Sequence, residues 1–147
     1  MATIACRLTT PERKIMDEPI VSATIPAWDG EIGILPNHSP IVAKLGLGEL
    51  RIQVADSDKS RGGSRAFVVD GGFLQVVNNK MSILAEKAWP AENLNETDAK
   101  AELAELEARR IPDDAENRDK QLADLKRARE RAATKLRVAR KYQGRGI

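Results

Sequence analysis

The sequence predicts a β-sandwich or flattened barrel over residues 2–86, followed by an antiparallel two-helix hairpin. Three observations carry that expectation. Apolar residues recur with a two-residue period through the first half of the chain. Turn residues interrupt them at short intervals with no helical stretch between. After Trp89-Pro90 the period lengthens to that of a helix.

The strand segments follow in order. Thr3 to Leu8 alternates, and Ile20 to Ile25 is rich in β-branched residues. Ile41 to Leu45, Leu50 to Val54, Ala66 to Val69, Phe73 to Val77 and Met81 to Leu84 complete the set. Asp29-Gly30, Pro36-Asn37, Gly46-Leu47-Gly48, Gly62-Gly63, Asp70-Gly71-Gly72 and Asn78-Asn79 supply the turn chemistry between them. The polar stretch Ala55–Ser64 reads as a long hairpin loop. About 85 residues suffice for one modest core.

Asn95 is a good N-cap for the first helix, with Asp98 three residues on. Ala99, Leu103 and Leu106 recur at helical spacing as far as Arg110, and Ile111-Pro112 ends the run. A second helix is expected from Asp113-Asp114 to about Tyr142, with Leu122, Leu125, Ala128, Ala132, Leu136 and Ala139 as its apolar stripe. The stripes are thin and alanine-rich, and each leucine contributes at most about 2 kcal/mol. The division is therefore a β domain over 1–87, a linker over 88–94 and a helical hairpin over 95–147.

Composition narrows the function. Hydrophobic residues make up 41%, charged residues 31% and aromatic residues only 3%, too few for a surface that stacks bases. The single cysteine, Cys6, and the single histidine, His38, exclude a disulfide and a cysteine-based zinc site. No apolar run is long enough to span a membrane, and no secretory or transit leader is expected at the N-terminus. The glycine pairs lack the Lys-Ser/Thr and strand–loop–helix setting of a phosphate cradle. The paired carboxylates Asp56/Asp58 and Asp113/Asp114 read as solvated loop residues. No catalytic residue, metal site or cofactor is expected.

Net charge is +2 but unevenly spread. Residues 1–114 hold 13 Lys/Arg against 18 Asp/Glu, a net of −5, whereas residues 115–147 hold 11 against 4, a net of +7. The basic end asks for an acidic partner: protein, nucleic acid or anionic lipid.

The stretch Gly30-Glu31-Ile32-Gly33-Ile34-Leu35-Pro36-Asn37-His38-Ser39-Pro40 can be read as a turn, a strand and a Pro-bounded loop. It also resembles the signature of the epsilon subunit of rotary F-type ATP synthases. A second block, Val69-Asp70-Gly71-Gly72-Phe73-Leu74-Gln75-Val76 followed by an Asn-rich turn and Ser82-Ile83-Leu84-Ala85, matches the same family, as does the order of parts.

This resemblance implies a sandwich of about ten strands bound to the gamma subunit at the foot of the central shaft, in a non-catalytic subunit. By the same resemblance Asp29, Gly30, Glu31, Asn37 and His38 face the membrane rotor ring of c subunits. The hairpin becomes an arm that contacts acidic segments of the catalytic beta subunits and blocks ATP hydrolysis, with the alpha and beta subunits both among the expected partners. Arg127, Arg129, Arg131, Lys135, Arg137, Arg140 and Lys141 are its candidate contacts, beside the single acid Glu130. The chain would lie on the cytoplasmic face of a bacterial membrane, or less readily the stromal face of a thylakoid, held there only through the complex. Some relatives bind ATP through a Leu/Ile-Asp-x-x-Arg-Ala segment. Here the matching stretch is Leu94-Asn95-Glu96-Thr97-Asp98-Ala99, with an acid where the arginine would stand, so tight ATP binding is not expected. The competing readings are a nucleic-acid-binding protein that uses the basic helix, with the low aromatic content against it, and a hydrolase that uses His38 as its base.

Overall fold

A computed structural model of the chain describes residues 2–56 and 61–142. The chain forms two compact units that divide between Ala91 and Glu92.

The first unit holds seven strands: β1 (Ile4–Thr9), β2 (Lys14–Ala27), β3 (Gly30–Ile34), β4 (Ile41–Lys44), β5 (Leu47–Val54), β6 (Gly63–Val77) and β7 (Lys80–Pro90). Their pairing forms a closed circuit, β1–β7–β6–β5–β2–β1, with β3 on β2 and β4 on β6. β1 and β7 run parallel, and the other pairs are antiparallel.

Three long strands turn the circuit into a sandwich. β2 pairs with β1 through residues 14–20 and with β3 through residues 23–27. β6 pairs with β5 through residues 63–70 and with β4 through residues 73–76, and β7 follows β6 along both halves. β2, β6 and β7 each serve both layers, so seven strands supply ten segments, five to a layer. The family expectation of about ten strands and the seven continuous ones are thereby the same architecture.

Asp70-Gly71-Gly72, expected as a turn between two strands, is instead a corner inside β6. Gly71 and Gly72 adopt φ 78° and 118°, conformations that side chains disfavour. A Cβ on Gly72 would collide with the Leu84 carbonyl oxygen. The corner is fastened by Leu45 N–H donating to the Gly72 carbonyl (2.9 Å) and Gly71 N–H donating to the Gly46 carbonyl (3.2 Å). β2 likewise begins six residues before the expected Ile20, because Asp17, Glu18 and Pro19 mask a strand whose inward residues are Met16 and Ile20.

The core alternates as a two-layer domain requires. Ile4, Cys6 and Leu8 from β1, Leu50, Ile52 and Val54 from β5, Leu74 and Val76 from β6, and Met81 and Ile83 from β7 are buried together. Burial pushes the Cys6 thiol up to about 12, with Asp17 and Glu18 adding to the effect. The loop expected at Ala55–Ser64 is shorter, since Gly63 and Ser64 belong to β6. Asp56 Oδ1 accepts from Gly62 N–H at 2.7 Å and closes its base; residues 57–60 lie outside the described residues.

β7 continues to Pro90, and a single 3-10 turn, Ala91–Asn93, follows, so less of 88–94 is linker than expected. The second unit is a hairpin of α1 (Glu96–Ala108) and α2 (Arg118–Tyr142). Asn95 caps α1, its side chain accepting from Asp98 N–H at 3.1 Å. α2 starts later than Asp113. Residues 113–117 form turns, and Asn117 at φ 51° is left-handed and cannot continue a helix. Leu103, Leu106, Ile111, Leu125, Ala128 and Ala132 form the hairpin's small core, while Leu122 stays 37% exposed.

Candidate interaction surfaces

The ring-facing candidates sit at the two ends of β3 rather than in one cluster. At its start, Trp28-Asp29 makes a two-residue turn, and Gly30 adopts φ 135°. Trp28 N–H donates to the Lys44 carbonyl at 3.0 Å, yet its indole is 69% exposed at the tip. Glu31, the second residue of β3, is held by Arg51 at 3.4 Å, which also reaches Glu49 at 3.3 Å. Partial burial acts to lower the Arg51 guanidinium, but Glu31 and Glu49 outweigh it and leave it raised. Arg51 therefore fixes the direction of Glu31 and offsets its charge.

Beyond the other end of β3, residues 35–40 form the loop to β4. Asn37 is left-handed at φ 64°, and its N–H donates to Asn79 Oδ1 at 2.7 Å. Asn79 Nδ2 in turn donates to the Thr3 carbonyl at 2.8 Å. Asn79 belongs to the Asn78-Asn79 turn joining β6 to β7, where both residues adopt positive φ. One side chain thus ties the 35–40 loop to β1 and to that turn. His38 Nδ1 donates to the Ser39 carbonyl at 2.7 Å. His38 orders its own loop, and no group of three His, Cys, Asp or Glu suited to a metal occurs among the described residues.

Sequence patterning missed an exposed apolar row on the outer face of the layer formed by β4, β6, β7 and β1. Phe73 lies opposite Leu84 in register, and Leu84 opposite Thr9. Val42 lies opposite Gln75, and Val77 follows on β6. Val42 is 71%, Phe73 56% and Leu84 52% exposed. Lys44, Lys80 and Arg7 surround them. The signal was available: Phe73 and Leu84 break the inward/outward alternation of strands that already bury Leu74 and Ile83.

The seven arm candidates lie on α2 and do not share one role. Arg129 turns back onto α1, its guanidinium donating to the carbonyls of Leu106 (Nε, 2.8 Å) and of Glu107 and Arg109 (Nη2, 3.4 and 2.8 Å). Lys135 pairs with Glu102 at 3.5 Å and Arg140 with Glu96 at 2.9 Å. Arg127 reaches Glu130 at 4.0 Å, Lys141 lies 5.3 Å from the Tyr142 ring centre, Arg131 is half-buried and Arg137 is exposed. No described helix is long and apolar enough to cross a membrane.

The chain thus combines a closed β domain that has an exposed apolar sheet face and projecting turns with a small charged hairpin, the features of a docking module rather than of a catalytic cleft. Residues 3–91 match the family model described as ATP synthase, Delta/Epsilon chain, beta-sandwich domain. The sodium-ion-specific ATP synthase epsilon chain of Propionigenium modestum is 32% identical over 142 residues, covering 97% of each chain. The ATP synthase epsilon chain of Symbiobacterium thermophilum is 36% identical over 140 residues, covering 95% of this chain and 94% of its own. A chain in the OSCP/F1/c-ring structure of the Euglena gracilis mitochondrial ATP synthase shares the fold, with a TM-score of 0.68, 24% identity and coverage of 99% of this chain and 82% of its own. This chain belongs to the ATP synthase delta/epsilon family. Within it, the chain is an epsilon-type subunit, which is non-catalytic.

Proposed function

We propose that the β domain joins the gamma subunit to the ring of c subunits, and that the helical hairpin restrains ATP hydrolysis at the catalytic alpha and beta subunits. The apolar row of Val42, Phe73 and Leu84 carries the first half of this reading. A large apolar side chain gains about 1.5–3 kcal/mol when fully removed from water. Such a row in water invites a protein partner, and the shaft is the partner the family membership supports. The projecting turn of Trp28, Asp29, Gly30 and Glu31 suits polar loop-to-loop contact with the ring, with Asn37 and His38 on a second, separately anchored loop. Attachment to the cytoplasmic face of a bacterial membrane then comes through the complex, with proton or other ion flow belonging to the ring.

The restraining role is supported by the seven cations of α2 from Arg127 to Lys141, beside a thin apolar seam. Deleting the chain after Trp89 in a reconstituted complex should raise the hydrolysis rate while the β domain stays bound. An unchanged rate rules out the restraining role.

A further inference from the structure

Strand register lays out the outer face of the layer that carries the apolar row. One line across it reads Lys44, Phe73, Leu84, Thr9 and Lys14. The next reads Val42, Gln75, Ser82, Arg7 and Asp17, and the third Val77, Lys80, Ala5 and Pro19. With strands about 4.8 Å apart, the first two lines each run about 19 Å.

Charge on this face is one-sided. Four cations, Lys44, Lys80, Arg7 and Lys14, are exposed there, against two acids. Asp17 is shared by Arg7 and Lys14, at 3.4 Å from each. Glu86, the next outward residue of β7 after Leu84, turns over the corner, where a Cβ on Gly71 would meet its Oε2 at 2.8 Å. Lys44 and Lys80 meet no acid among the described residues. Lys44 stands beside Phe73 in register, and Lys80 beside Val77. Each can lay its methylene stem along apolar surface and keep its ammonium at the margin.

We infer that the partner surface seated on this face is an apolar patch bordered by carboxylates, which Lys44 and Lys80 meet at the rim. The apolar row supplies affinity, and the two unopposed cations supply encounter rate and choice of partner. A cationic border on the partner would face Lys44 and Lys80 as like charges. A second copy of this face is disfavoured for the same reason, because a two-fold contact sets one cationic patch against another. A bilayer also fits poorly: the apolar side chains stand on a sheet among longer cations, without the projecting amphipathic helix that lies in a membrane surface. This inference rests on the proposed seat of the shaft and adds the chemistry that the shaft must present there.

The test is the association rate of the full chain with a catalytic-core complex that contains the gamma subunit and lacks this chain, followed from about 50 to about 300 mM salt. Lys44→Gln with Lys80→Gln should slow association roughly threefold to tenfold at low salt. Lys44→Glu with Lys80→Glu should slow it further, and the differences should fade at high salt. Melting temperatures should match wild type, since both lysines are exposed. A wild-type rate independent of salt overturns the inference, as do lysine variants that associate as fast as wild type at low salt. Phe73→Asp with Leu84→Asp separates the two claims. If that variant fails to bind while the lysine variants match wild type, the shaft seat stands and its acidic border falls. If it binds as well as wild type, the seat falls and the border with it. Binding of the full chain to vesicles containing phosphatidylserine, lost in the lysine variants, would assign the face to lipid and overturn the inference.

Discussion

Gly72 is the tightest point of the sandwich corner. Its φ of 118° and the nearby Leu84 carbonyl leave no room for a Cβ, so Gly72→Ala should destabilise the β domain by about 3 kcal/mol or more in denaturant unfolding. Cys6 sets a pH dependence. Its thiol ionises near 9.0 in an unfolded chain and near 12 when folded, so the folded state keeps the proton longer. Its contribution is full below pH 9 and is lost as pH rises from 9 toward 12, at up to about 1.4 kcal/mol per pH unit. Cys6→Val should flatten the alkaline limb of a stability–pH curve relative to wild type. Asn79→Gly retains the left-handed turn but removes the clamp. Amide exchange in residues 35–40 should rise about tenfold with little change in the melting temperature. The clamp was not legible in the sequence, because Asn37 and Thr3 lie 42 and 76 residues from Asn79. The motif around Gly30 to Pro40 was legible, since turn chemistry is local.

At the scale of elements, local signals located the strands but not their continuity. Asp70-Gly71-Gly72 carries the composition of a turn, and only the pairing of β6 with β5 on one side and β4 on the other makes it a corner. The first half of β2 was hidden by outward charges and Pro19, whose carbonyl accepts from Ala55 N–H at 3.1 Å. In the hairpin, the N-cap at Asn95 was readable, whereas the late start of α2 turns on the backbone of Asn117. Arg129 reads as a solvent-facing cation until α1 is set beside it. Arg129→Gln should therefore fray the last turn of α1. Amide exchange there should quicken by about tenfold, corresponding to hydrogen bonds worth about 1.5 kcal/mol. Unaltered exchange would show that the cap is redundant with Arg110.

Across the whole molecule, the charge split first suggested an outside acidic partner, yet three of the α2 cations already meet groups of α1: Arg140 at Glu96, Lys135 at Glu102 and Arg129 at the Leu106 carbonyl. The same fact weakens the nucleic-acid reading, because Arg129, Lys135 and Arg140 are directed at protein groups. Mobility shifts with duplex or single-stranded nucleic acid at physiological salt should show no specific complex. The proposed function assigns the apolar row of the β domain to the shaft. The most direct test is co-purification of the Phe73→Asp, Leu84→Asp double variant with the gamma subunit and the ring in a reconstituted complex. The variant should fold with a melting temperature close to wild type, since both side chains are exposed, and its recovery with the complex should fall at least about tenfold. Recovery equal to wild type would contradict the assignment of this face to the shaft.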